Sequence, residues 1–308
     1  MKIAFLFSGQ GAQYPGMMKD LYAAEPAVKA VFDAADAALG RSVSGLCFDG
    51  AQEDLNLTHN TQPCVLAADL AAAAALKAHG VLPQAAAGFS LGEYAALSFA
   101  GVFSAEEAFR VIQIRADAMQ AAVPAGEGGM AAFVGATAEQ VEALCAKVTA
   151  GYVVAANYNS PVQTVVSGSA AGVDEACALA EASGLRCVKL AVSAPFHCAM
   201  MEPAALRLKE EFADMTFAEP CLPVYMNVDG QPLPAAGAAP ELLVRQAMSP
   251  VRWTDTLQNL QAAGFDTFIE CGPGKTLSGL VKKTLKGVTI LRVENEKTLS
   301  ETLAAAGA

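Results

Sequence analysis

The segment Gly88-Phe89-Ser90-Leu91-Gly92 constrains this chain more than any other five residues. A run of small apolar residues precedes it and a helical pattern follows it. A G-x-S-x-G sequence in that setting reads as a sharp turn from strand to helix with a serine at its apex. Such a turn crowds the backbone two residues on either side, so only small residues fit there. It also sets Ser90 at a helix N-terminus, where free N–H groups favour developing negative charge. The main-chain N–H of Leu91 is then one candidate oxyanion donor.

Around this turn, strand and helix patterns alternate. KIAFLF reads as a first buried strand, followed by the loop SGQGAQYPGM and a helical region over 21–39. Pro63 predicts the start of an alanine-rich helix that runs to about His79. A short strand over 85–89 and helices over 91–100 and 105–122 follow. This alternation predicts a parallel sheet covered by helices, an α/β unit. After VPAGEGG the order changes to β-α-β-β-α-β, the ferredoxin-like arrangement. The reading is therefore a large α/β unit over 1–127 and 193–308, with a small unit over 128–192 inserted into it.

Composition limits the function. The 308 residues are 54% hydrophobic and 17% charged, which is globular rather than disordered. The net charge of −11 argues against a nucleic-acid binder. No apolar run reaches the length of a spanning helix, and MKIAFLF is too short for a secretory segment. A cytoplasmic protein that binds neither membrane nor nucleic acid is expected. The eight cysteines form no C-x-x-C pair and no metal-ligand spacing, so buried reduced thiols and no metal are expected.

A serine nucleophile needs a base. Of the three histidines, His79 stands at a helix end and His59 in a polar loop. Only His197 follows the serine, at the return from the inserted unit, and it is the candidate base. No acidic third member stands out, and a backbone carbonyl or an amide would serve to hold the imidazole tautomer. Two glycine loops fail as phosphate sites. SGQGAQY has Tyr14 where the dinucleotide pattern needs Gly or Ala, and GPGKT has Ile269 where the P-loop needs its leading glycine. The first of these loops, beside the site, offers the N–H of Gln10 as a second oxyanion donor. Arg115 shares a helix face with Val111, Ile112 and Met119. An arginine on such a stripe is either a salt-bridged core residue or a ligand for an anion.

Taken together, FSGQGAQYPGM, NTQPCVLAADLA, GFSLGEYAAL, the R-A-D-A-M-Q helix, NYNSPVQTVVSG, SAPFHCAMM, LVRQ-x-x-SPVRW and ECGPGKTLSGLVKK resemble the malonyl-CoA:acyl-carrier-protein transacylases, nearly end to end and in the same order. That resemblance implies a hydrolase-like α/β fold with a ferredoxin-like insertion, Ser90 as the acylated nucleophile, His197 as its base, and Gln10 and Leu91 as the oxyanion donors. It further implies Arg115 as the clamp for the malonyl carboxylate and Gln246 as the residue whose carbonyl orients the histidine. The implied substrates are malonyl-CoA and a phosphopantetheine-bearing acyl carrier protein, with no bound cofactor and a monomeric enzyme of fatty acid biosynthesis. The carrier proteins of such systems are acidic, and Lys282, Lys283 and Lys286 on the helix after GPGKT form a candidate docking patch. The family usually has His before the nucleophile, where this chain has Phe89. Three other functions share parts of these features. A serine thioesterase or esterase would use the same elbow and base without Arg115. A discrete acyltransferase of a polyketide pathway would use all of them. A non-catalytic carrier-docking subunit would need none of the reacting groups and would tolerate Ser90→Ala.

Overall fold

The computed structural model describes residues 1–192 and 194–307. Residue 193, where the sequence places the return to the large unit, lies outside them. Nine strands are formed among the described residues: β1 (Ile3–Phe7), β2 (Ala85–Gly88), β3 (Gly128–Val134), β4 (Val153–Ser160), β5 (Gln163–Ser169), β6 (Arg186–Lys189), β7 (Val224–Tyr225), β8 (Thr267–Cys271) and β9 (Thr289–Val293). They make two sheets. One is parallel, with the order β7-β2-β1-β8-β9. The other is antiparallel, with the order β4-β5-β3-β6. The second sheet, with helices Ala138–Cys145 and Ala170–Ala182, has the ferredoxin-like pattern.

β1 shows why the first sheet is parallel and central. All five of its residues are buried, as expected of a strand covered on both faces. Phe5 and Phe7 point to the core shared with helices Thr58–Ala78 and Ala105–Ala121. Ala4 and Leu6 point to the opposite core, built by Trp253, Leu257, Leu277 and Leu280. The carboxyl ends of β1, β2 and β8 open on the same edge, where ligands of open α/β sheets bind. The antiparallel sheet closes over this edge. Its strand β4 is bulged twice, and it is stitched to the segment before helix Trp253–Ala262 by Tyr158 N–H to the Val251 carbonyl and Val251 N–H to the Ala156 carbonyl, both 2.9 Å.

Several local expectations are corrected. The alanine-rich helix begins at Thr58 rather than at Pro63, so Pro63 lies inside it. A proline there frees the carbonyl four residues earlier, that of His59. That oxygen accepts instead from Arg41 at 3.0 Å and Gln113 at 3.2 Å, so the helix extends upstream without an orphaned acceptor. His59 thus stands in a first helical turn, not in a loop, with Nδ1 3.4 Å from Asp117. The helical region over 21–39 is two helices, Lys19–Ala24 and Pro26–Leu39, broken where Glu25 becomes extended ahead of Pro26. The cysteines are not all reduced. Cys177 and Cys187 are paired as a disulfide between helix Ala170–Ala182 and β6. Their spacing of ten residues matches no motif, because the pair is made by a helix folding back on the next strand.

Candidate active site

The elbow is built by backbone approach. A Cβ on Gly88 would lie 1.9 Å from the Gly92 carbonyl, and one on Gly92 would lie 2.4 Å from the Phe7 carbonyl at the end of β1. Neither space admits a side chain. Between them Ser90 is held at φ 55°, in the left-handed region that an L-residue enters at a cost of about 1 kcal/mol or more. The rest of the structure fixes it there. Asn227, fully buried just after β7, accepts from the Ser90 N–H at 2.7 Å and donates to the Gly88 carbonyl at 2.7 Å. The Asn227 N–H in turn donates to the buried Glu93 carboxyl, in the first turn of helix Gly92–Phe99.

The sequence candidates converge here. Ser90 Oγ is 2.7 Å from His197 Nε2. His197 Nδ1 is 2.9 Å from the main-chain carbonyl of Gln246, in helix Ala239–Met248. A carbonyl only accepts, so Nδ1 carries the proton and Nε2 faces the serine as an acceptor. Burial, with Arg115 nearby, pulls the His197 pKa down to about 4. The imidazole is therefore neutral near pH 7. His197 also has a left-handed backbone, φ 61°. The main-chain N–H groups of Gln10 and Leu91 donate to no protein acceptor among the described residues.

Arg115 is 1% exposed. Its Nη1 donates to Gln62 at 2.7 Å, and its Nη2 donates to Ser90 Oγ and to Gln246 Oε1, both at 3.0 Å. Its Nε has no partner, and no carboxylate lies within ion-pair distance of it among the described residues. Glu93, the acid whose charge acts on Arg115, has its pKa pushed up to about 8 by burial, so it is mostly protonated at pH 7. Of the two readings of an arginine on an apolar stripe, the salt-bridged one does not hold. What remains is a buried cation whose donors face the serine hydroxyl.

These groups floor a cleft with about 190 Å³ of space between the sheet edge and the second sheet. Asn157 and Asn159 of β4 and Gln163 of β5 line its far side, with Met130 and Phe196. The ring of Phe89 turns to Trp253, 5.4 Å away and edge-on. Gln62, Asn227 and Glu93 were not among the sequence candidates. Gln62 is one of a run of polar residues and Asn227 and Glu93 stand among mainly apolar ones, and each has its partner 53 to 139 positions away.

The lysines are placed apart from the reacting groups. Lys282 and Lys283 are exposed on helix Thr276–Thr284, but Lys286 lies beyond its end. The buried Leu285 is extended there and carries the chain out of the helix, so the helical spacing to Lys286 is not realised. Lys283 Nζ donates to Gln163 at 3.1 Å, on the rim of the cleft. Lys282 borders a different groove, with Lys275 and Arg292. Among the described residues no cluster of His, Cys, Asp and Glu that would hold a metal is found.

A strained serine on a strand-to-helix elbow, a carbonyl-oriented histidine and two free N–H groups define a serine-nucleophile acyl-transfer site on an α/β fold. The acyl transferase domain model matches residues 4–303. A malonyl CoA-acyl carrier protein transacylase of Bacillus subtilis (strain 168) is 44% identical over 301 residues, 97% of this chain and 95% of the relative. A solved malonyl CoA-acyl carrier protein transacylase from Clostridium perfringens is 40% identical with a TM-score of 0.96, covering 100% of this chain and 98% of that one. A malonyl-transacylase in complex with a type II polyketide acyl-carrier protein is 38% identical with a TM-score of 0.96, covering 99% and 100%. The chain belongs to the malonyl CoA-acyl carrier protein transacylase family of acyl transferases.

Proposed function

We propose that this enzyme moves a malonyl group from malonyl-CoA to the phosphopantetheine thiol of an acyl carrier protein, in fatty acid biosynthesis, through a malonyl ester on Ser90. His197 Nε2 takes the Ser90 proton as Oγ attacks the thioester carbonyl. The Gln10 and Leu91 N–H groups hold the oxyanion. The C–S bond breaks, and His197 returns the proton to the departing CoA thiolate. The carrier thiol then gives its proton to His197 and attacks the malonyl-serine ester, and Ser90 leaves with the proton. No bound cofactor takes part. Residues 128–192 act as an inserted unit that walls the cleft. The exposed Lys282 and Lys283, with Lys286 beyond the helix end, guide an acidic carrier to its mouth.

The observation that carries this reading is Arg115, a buried guanidinium with no carboxylate partner among the described residues and a donor 3.0 Å from the nucleophile. A malonyl carboxylate supplies the missing anion, while an acetyl group leaves the cation unpaired, and such sites discriminate by about 10⁴. A thioesterase or esterase has no use for that arrangement. The test is transfer from malonyl-CoA and acetyl-CoA to a holo carrier protein. Malonyl transfer by the wild type, lost in Arg115→Ala, supports the reading. Steady hydrolysis of malonyl-CoA without product on the carrier would support the thioesterase instead.

A further inference from the structure

The side chain of Gln246 has a place in the site separate from its carbonyl. It is 1% exposed. Its Oε1 accepts from Arg115 Nη2 at 3.0 Å, and its Nε2 donates to the Ser90 carbonyl at 2.7 Å. The amide orientation is fixed by chemistry, since a guanidinium only donates and a carbonyl only accepts. The Ser90 carbonyl belongs to the same planar trans peptide as the Leu91 N–H, and in a trans peptide the two point in opposite directions. Holding one therefore aims the other. One amide thus joins the guanidinium that faces the substrate carboxylate to the peptide that faces the substrate carbonyl.

We propose that the Gln246 side chain is a positioning residue that couples carboxylate binding at Arg115 to the aim of the Leu91 oxyanion donor. The inference rests on the reading of Arg115 as clamp and Leu91 as donor. A malonyl carboxylate that draws Arg115 into place pulls on the amide, and the amide sets the peptide. A substrate without the carboxylate reacts with that peptide less well held. Discrimination then arises in the oxyanion hole as well as in the clamp.

Substitution separates this role from the known geometry of the carbonyl, because every variant keeps the main-chain oxygen on His197. Gln246→Met conserves length and loses both hydrogen bonds. Ser90 acylation would be followed under single-turnover conditions with malonyl-CoA and acetyl-CoA, in the wild-type and Arg115→Ala backgrounds. We expect malonyl acylation to fall about 10²-fold, the scale of a lost oxyanion donor, and acetyl acylation about tenfold. The acid limb of the pH profile should stay near pH 4, since His197 is untouched. On the Arg115→Ala background the malonyl effect should shrink to the acetyl effect. A folded Gln246→Met that acylates with malonyl within twofold of wild type would overturn the proposal. So would equal losses for the two substrates in both backgrounds. If Gln246→Met does not fold, Gln246→Glu applies the same test: one oxygen still accepts from Arg115, the other has no proton for the Ser90 carbonyl, and a wild-type rate would again overturn it. An Arg115→Ala enzyme that still prefers malonyl would instead overturn the clamp reading on which this rests.

Discussion

The elbow and the second sheet face each other across the cleft, and they hold their backbones differently. At the elbow, strain is over-determined. Gly88 and Gly92 allow the backbone to approach closer than any side chain permits, and Asn227 takes the hydrogen bonds on either side of the turn. The second sheet is also closely packed, since a Cβ on Gly168 of β5 would lie 2.0 Å from the Tyr152 carbonyl, but among the described residues its strands hold no residue other than glycine at positive φ. Among the described residues its edge strand β6 pairs only with β3, and most of the residues of β6 are exposed. Ser90, the proposed nucleophile, is thus fixed by the scaffold, while the sheet opposite it ends in an exposed edge. Catalysis needs the first property, because a misplacement of about 1 Å at the reacting atoms costs roughly 10²-fold.

This contrast can be broken from the elbow side first. Gly92→Ala puts a methyl within 2.4 Å of the Phe7 carbonyl, and β1 has to move. We expect loss of soluble folded protein, or an activity loss above about 10³-fold, read by thermal unfolding and malonyl transfer. Arg115→Ala comes next, with malonyl acylation reduced at least about 10³-fold and acetyl acylation changed far less, measured as the ratio of the two.

The pH dependence follows from two buried groups. In the proposed reaction His197 must be neutral to accept the Ser90 proton. Its pKa is lowered to about 4, so the acylation rate should be flat near pH 7 and fall to half near pH 4. The unfolded imidazole binds protons below about 6.5. The stability contributed by His197 is therefore complete above that value and is lost as pH falls toward 4. Glu93 shifts the other way, raised to about 8. The buried acid is neutral below that pH, and its contribution declines as pH rises between about 4.5 and 8. Glu93→Gln keeps an acceptor for the Asn227 N–H and removes the titration, so its thermal midpoint should exceed that of the wild type at pH 9 and not at pH 5.

The smallest effect belongs to the second sheet. Cys177→Ser opens a short loop, worth at most about 3 kcal/mol of unfolding free energy. Malonyl transfer should stay within about twofold of wild type, because β6 does not carry a reacting group. A large loss of transfer would mean that the far wall is as tightly coupled to the chemistry as the elbow.

How much of this was legible in the sequence follows the same division. The elbow was readable because its cause is local, five residues whose small members are forced by one turn. The parallel sheet and the β-α-β-β-α-β order were readable from apolar runs and their spacing. His197 was found only by elimination. Gln62, Asn227 and Glu93 were not found, since a polar residue buried by a partner more than fifty positions away looks, in sequence, like any other polar residue. The early start of helix Thr58–Ala78 was missed because the side chains that satisfy the His59 carbonyl come from Arg41 and Gln113, far along the chain. The disulfide between Cys177 and Cys187 depends in the same way on how a helix packs against its following strand.

The most direct measurement is intact-protein mass spectrometry after mixing with malonyl-CoA, acetyl-CoA or methylmalonyl-CoA, followed by peptide mapping, with Ser90→Ala and Arg115→Ala beside the wild type. A malonyl adduct on the peptide containing Ser90, absent from Ser90→Ala and strongly reduced in Arg115→Ala, is the expected result. An adduct that forms equally well from acetyl-CoA, or that survives in Ser90→Ala, would contradict the account.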